Sequence, residues 1–146
     1  DTAATVFSAC ISAKDDLTIK GRGTLYVYGN AKHAIKSSND VKIKNGVLVL
    51  SAVKTGVYAE DKVAITGGNI TITSCKDGIK AKDDADPTAG TVTIEEAEID
   101  VQNASGNGIE GAVSVTVTSG NVKIHSIKQA VNSPTQTLTD GCVNVY

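Results

Sequence analysis

The chain has 146 residues, 40% of them hydrophobic and only 3% aromatic, with 14 basic against 16 acidic side chains and a net charge of −2. That length fits one domain around an aliphatic core. The near-balanced charge excludes a global field drawing the chain to nucleic acid, and no apolar run reaches the roughly 18 residues of a membrane span. Three cysteines, Cys10, Cys75 and Cys142, leave at least one unpaired in a monomer, and their spacing matches no zinc motif.

Residues 1–10 follow the later pattern only loosely and read as a partial first turn. A start on Asp1 in place of Met reads as a processed or trimmed chain, with no signal peptide visible. From Ile11 a repeat sets in. Aliphatic anchors fall at Ile11, Ile35, Val57, Ile79, Ile109 and Val131, spaced by 24, 22, 22, 30 and 22 residues. One residue before each anchor stands a small residue (Cys10, Ala34, Gly56, Gly78, Gly108, Ala130), and two after it another (Ala13, Ser37, Ala59, Ala81, Gly111, Ser133). Such self-similarity marks a solenoid.

Each unit then carries three short alternating runs. The first has Leu17-Thr18-Ile19, Gly23 and Leu25-Tyr26-Val27; the third has Val63-Ala64-Ile65, Gly67-Gly68 and Ile70-Thr71-Ile72. Alternation of Val, Ile and Thr suits strands with one face inside. A strand of three or four residues can pair only with its equivalent in the next unit, which predicts an all-β, parallel β-helix. It would have about six coils of roughly 22 residues, three short sheets and a rise of about 4.8 Å per coil. Right-handed winding follows from the usual crossover preference. The whole chain, 1–146, reads as one such domain, and the longer fourth unit carries an inserted loop at 83–90 (Asp83-Asp84-Ala85-Asp86-Pro87-Thr88-Ala89-Gly90).

Stacked coils gather scattered residues into columns. Four residues after successive anchors come Asp15, Asn39, Asp61 and Asp83, flanked by Asp16, Asp40 and Asp84. A ladder of oxygens one strand apart repels itself unless a cation intervenes. Ca²⁺, with six to eight oxygen ligands in tolerant geometry, is the natural ion. Asp15, Asn39, Asp40, Asp61, Asp83, Asp84 and Asp86 are its candidate ligands; a solvated acidic corner countered by Lys14, Lys62 and Lys82 is the plainer alternative.

One residue after the anchors runs an outward column of Ser12, Lys36, Tyr58, Lys80, Glu110 and Asn132. Lys36, Tyr58, Lys80 and the nearby Lys82 offer ammonium groups and a ring face to a polyanionic sugar, while an ordinary solvated sheet is the competing reading. His33 and His125 fall in unrelated columns, and no nucleophilic triad, phosphate loop or nucleotide fingerprint is present.

Asp16-Leu17-Thr18-Ile19-Lys20-Gly21, Ile65-Thr66-Gly67-Gly68-Asn69-Ile70-Thr71-Ile72 and Asp77-Gly78-Ile79-Lys80-Ala81-Lys82-Asp83 resemble the repeats of a secreted bacterial family of calcium-binding, pectin-binding parallel β-helices with a pectate-lyase-like fold. The resemblance implies an extracellular or cell-surface carbohydrate-binding domain that holds acidic polysaccharide with calcium between its coils. The first expectation is therefore a non-catalytic, calcium-assisted module for a polymer such as polygalacturonate. Two alternatives stand beside it. In a lyase-like enzyme, Lys36 or Lys80 would remove the proton beside a uronate carboxylate. In a structural protein, open helix ends would pair head to tail into a filament.

Overall fold

The computed structural model describes residues 7–146 and is all strand and turn. No helix among the described residues is long and apolar enough to cross a membrane. Eighteen strands form three parallel sheets of six, each sheet taking every third strand of the chain. The first sheet contains β1 (Ala9–Ala13), β4 (His33–Ser37), β7 (Thr55–Ala59), β10 (Asp77–Ala81), β13 (Ile109–Gly111) and β16 (Val131–Asn132). The second contains β2 (Leu17–Ile19), β5 (Asp40–Ile43), β8 (Lys62–Ile65), β11 (Thr91–Ile94), β14 (Ser114–Val117) and β17 (Thr135–Leu138). The third contains β3 (Thr24–Gly29), β6 (Val47–Ala52), β9 (Asn69–Ser74), β12 (Ala97–Ala104), β15 (Gly120–Ser126) and β18 (Cys142–Val145). This is the six-turn parallel β-solenoid expected from the repeat. Of the expected partial first turn, residues 1–6 lie outside the described residues; β1 begins within it, and Ser8 already accepts a backbone hydrogen bond from His33.

The anchors stack in one column, Ile11 on Ile35 on Val57 on Ile79 on Ile109 on Val131. The third sheet does the same with Leu25, Leu48, Ile70, Ile99, Val122 and Val143. Like pairs with like, so each aliphatic side chain lies over its copy, and Ile35, Ile43, Ile65, Ile72, Ile79, Ile94 and Ile109 are wholly buried. Burial of such a side chain contributes about 1.5–3 kcal/mol, and the columns hold the coils in register because a one-residue slip would turn every aliphatic outward.

Small residues recur for two separate reasons. Gly46, Gly68 and Gly120, at the turn leading into the third sheet, have φ of 103°, 96° and 93°, a region that residues with a Cβ rarely adopt. Gly56 has ordinary φ but no room: a Cβ there would sit 2.8 Å from the carbonyl oxygen of Gly78 and 2.9 Å from Ile72. Cys75 is buried, and desolvation, with a smaller effect from Asp77, pushes its thiol up to about 12, which makes it a core residue and an inert one. Cys10 and Cys142 are exposed.

The chain leaves the repeat after Lys82, and smaller register shifts fall between Leu50 and Ser51 and between Val101 and Ala104. The Lys82 N–H still bonds the Ala59 carbonyl, but the next ladder bonds, from Gly90 and Thr91, both reach Asp61. The residues between leave the wall as a loop fixed by its own acids. Asp83 Oδ1 accepts from the Ala85 N–H at 2.7 Å, and Asp86 Oδ1 accepts from the Thr88 N–H at 2.8 Å and its hydroxyl at 2.7 Å.

Candidate functional site

The outer face of the first sheet carries the predicted sugar column in register: Ser12 beside Lys36, Lys36 beside Tyr58, Tyr58 beside Lys80, and Lys80 beside Glu110. Lys36, Tyr58, Lys80 and Lys82 line one shallow polar depression of about 250 Å³, joined there by His33, Lys54, Lys76 and Asp77. The aliphatic columns beneath fix its floor, since every outward residue is placed by the inward residue next to it.

Each of the predicted residues has a partner. Lys36 pairs with Glu60 at 3.5 Å and lies 5.7 Å from the centre of the Tyr58 ring. Tyr58 donates its hydroxyl to the Lys82 carbonyl at 2.8 Å and stacks its ring on His33, centroids 4.8 Å apart. Lys80 reaches Glu110 at 3.2 Å and the buried Asp77 at 3.7 Å, while Lys82 pairs with Asp84 at 2.8 Å. Burial acts to raise the Glu110 carboxyl, yet the Asn107 amide and the Lys80 ammonium outweigh it and the net shift is downward. One ring face of Tyr58 is thus covered, and the lysines orient anions while their own charge is balanced.

His33 is the residue that sequence reasoning passed over. Its imidazole is pushed down to about 4, first by burial and then by the positive charges of Lys36, Lys54, Lys32 and Lys80. Its Nδ1 is buried with no hydrogen-bond partner. Burial is the larger cause of that shift, and the four lysines near the ring add to it. Lys54 and Lys76 were missed as well; both sit three residues before an anchor, as does Lys32, and that common offset is a signal the sequence contains.

The predicted calcium ligands are gathered only in part. Asp15, Asn39 and Asp61 stack as expected, with the Asn39 amide donating to Asp15 Oδ1 at 2.7 Å and the Asp61 N–H to the Asn39 carbonyl at 3.1 Å. Asp83 does not continue that column. Thr91 pairs with Lys62, so Gly90 takes the place beside Asp61, and Asp83 belongs to the loop because the insertion begins before its position is reached. Asp84 leaves the flanking column for the same reason, and Asp40 is followed there by Lys62. Lys42 pairs with both Asp16, at 2.9 Å, and Asp40, at 3.5 Å.

Asp61 stands apart. Its carboxyl is raised by desolvation and then by the negative charges of Asp40, Asp83, Asp86 and Asp16. Among the described residues no three His, Cys, Asp or Glu side chains form a ready metal-holding group. Asp61 and the loop acids are thus not gathered into a ready calcium centre, and an ion there would need further oxygens from water or ligand to reach six to eight.

The outward column of the first sheet thus carries two paired lysines, a tyrosine and a glutamate in successive coils. Residues 1–145 match the profile of a family described as "Carbohydrate-binding domain-containing protein", and the chain belongs to that family. A protein of the same description from Acetivibrio thermocellus is 47% identical over 45 residues, covering 31% of this chain and 16% of its own. Among solved structures, a polysaccharide lyase-like protein from C. thermocellum, determined as a gadolinium derivative, superposes with a TM-score of 0.56 at 29% identity. That match covers 95% of this chain and 53% of the other, so the present chain spans about half of that neighbour.

Proposed function

We propose that the chain is a non-catalytic carbohydrate-binding β-helix that holds an acidic polysaccharide, such as polygalacturonate, against the outer wall of the first sheet. The observation that carries this reading is the convergence of Lys36, Lys54, Lys76 and Lys80 with Tyr58 in one depression. Membership of a carbohydrate-binding family supports the ligand class, and the four lysines that act on His33 support its charge. A shallow wall favours a binding role: Lys80, one of the two candidate bases, is already committed to Asp77 and Glu110. Calcium enters as an assistant at Asp61, where a uronate carboxylate would complete the coordination that the protein acids leave open.

Affinity electrophoresis in gels containing polygalacturonate or neutral cellulose derivatives tests the reading. Retardation by the acidic polymer, reduced in Lys36→Ala, is expected; equal retardation by both, indifferent to Lys36, contradicts it. Incubation with polygalacturonate and calcium tests the enzyme alternative, because eliminative cleavage leaves an unsaturated product that absorbs in the ultraviolet.

End-to-end association is a second reading. An apolar cavity of about 590 Å³ opens at the last coil, lined by Val115, Val117, Val131, Leu138, Val143 and Val145. Exposed apolar surface of this kind favours self-pairing. Sedimentation velocity of the 146-residue chain over a range of concentrations decides it, a constant monomer excluding this mode.

A further inference from the structure

We infer that Lys32, Lys54 and Lys76 form an axial anion ladder, along which a polyuronate lies parallel to the helix axis with one carboxylate to each of three successive coils. The inference rests on the reading above and assigns it a direction and a second row of residues. The Lys54 N–H bonds the Lys32 carbonyl and the Lys76 N–H bonds the Lys54 carbonyl, each at 2.7 Å, so the three residues stack coil on coil at one corner of the solenoid. Their backbone repeat is the strand spacing, about 4.8 Å.

The ladder differs from the neighbouring column in its charge balance. Lys36, Lys80 and Lys82 each have a carboxylate partner, whereas among the described residues none of the ladder ammonium groups has one within 4.0 Å. Uncompensated like charges at successive coils repel one another, and a ligand with anions at a similar repeat removes that repulsion. The neighbouring imidazole of His33 feels two of the three lysines, Lys54 and Lys32.

The row also has a defined end. In the next coil the position belongs to Gly106, whose N–H bonds the Lys76 carbonyl at 2.7 Å. Gly106 lies so close to Asp77 Oδ1 that a Cβ would strike it, so no longer residue fits there unless Asp77 moves. Lysine returns only one coil further on, at Lys128, which leaves a footprint of three consecutive charges.

Calorimetric titration with oligogalacturonates of increasing length, at several salt concentrations, tests the ladder. Affinity should climb with each added uronate up to three and then level off, and the fully methyl-esterified oligomers should show no climb. The triple variant Lys32→Gln, Lys54→Gln, Lys76→Gln should lose affinity about tenfold or more, with the slope of log affinity against log salt reduced by up to about one unit per lysine. The triple Lys→Arg variant should restore both, and an unchanged melting midpoint shows that the Gln variant is folded. Wild-type affinity and slope in a folded Gln variant, with Lys36→Ala still weakening binding, would overturn the ladder and leave the wall as the site. No binding of polygalacturonate by the wild-type chain would overturn both, and equal affinity for single-stranded DNA would overturn the assignment to a polyuronate.

Discussion

The imidazole of His33 in one coil lies on the phenol ring of Tyr58 in the next, with centroids 4.8 Å apart and planes inclined by 24°. The stack closes one face of Tyr58 and brings the histidine under Lys36, Lys54, Lys32 and Lys80, which together with burial hold it neutral to about pH 4. An unfolded histidine titrates near 6.5. Between those values the unfolded chain binds more protons than the folded one, so stability falls as pH drops from about 6.5 towards 4. Screening over the solvent-facing part of the ring leaves a loss of roughly 2 kcal/mol. Urea denaturation at stepped pH should show this loss in the wild-type chain and a smaller one in His33→Phe.

Tyr58 also ties two coils through its hydroxyl, which donates to the Lys82 carbonyl where the chain departs into its loop. Tyr58→Phe should cost about 0.5–1.5 kcal/mol, the worth of one hydrogen bond. Amide exchange should show the loss concentrated at 82–90, and uniform loss across all coils would contradict this placement of the bond.

Lys80 and Lys36 occupy adjacent places in one column but differ in what they support. Lys80→Ala removes the ammonium partner of the buried Asp77 and of Glu110 and leaves each with its hydrogen bond from Asn107, and the expected destabilisation is about 1–3 kcal/mol. Lys36→Ala removes a more exposed pair, worth about 0–1 kcal/mol. Thermal melts of the two variants should rank in that order. Acid should erase much of the difference, since Glu110 has a lowered pKa and its contribution is lost as pH falls through it.

The register was legible in the chain because each coil repeats a small residue, an aliphatic anchor and a second small residue, and because interior volume constrains every one of those positions. The 30-residue interval before Ile109 announced the loop for the same reason. What lay outside that constraint was harder to read. Asp83 lies four residues after Ile79, as Asp61 does after Val57, yet the insertion starts too early for it to stack, and only the Gly90–Asp61 bond reveals this. Lys32, Lys54 and Lys76 share an offset of three residues before an anchor, but they sit at an outward corner and Gly106 interrupts their series. The contact of His33 with Tyr58 runs diagonally between columns, so it depends on side-chain direction as well as on spacing.

Asp61 carries the calcium proposal. Its carboxyl is raised by burial and by Asp40, Asp83, Asp86 and Asp16, so its ionisation above that raised pKa costs stability that a bound cation would restore. Asp61→Asn should therefore raise the melting temperature in chelator slightly and abolish the upward shift that millimolar Ca²⁺ produces in the wild type. An identical calcium shift in both proteins would remove Asp61 from the ligand set, and no shift in either would remove calcium.

Amide chemical-shift mapping with a short oligogalacturonate measures the central claim directly, because each sheet of the solenoid reports separately. Binding at the first sheet predicts shifts concentrated at 32–36, 54–58 and 76–82, with the His33 ring titrating above its unliganded value of about 4 as the ligand's carboxylates offset the surrounding lysines. Shifts centred instead on the exposed Tyr26 and Tyr28 of β3, with His33 unmoved, would place the sugar on another wall and contradict the account.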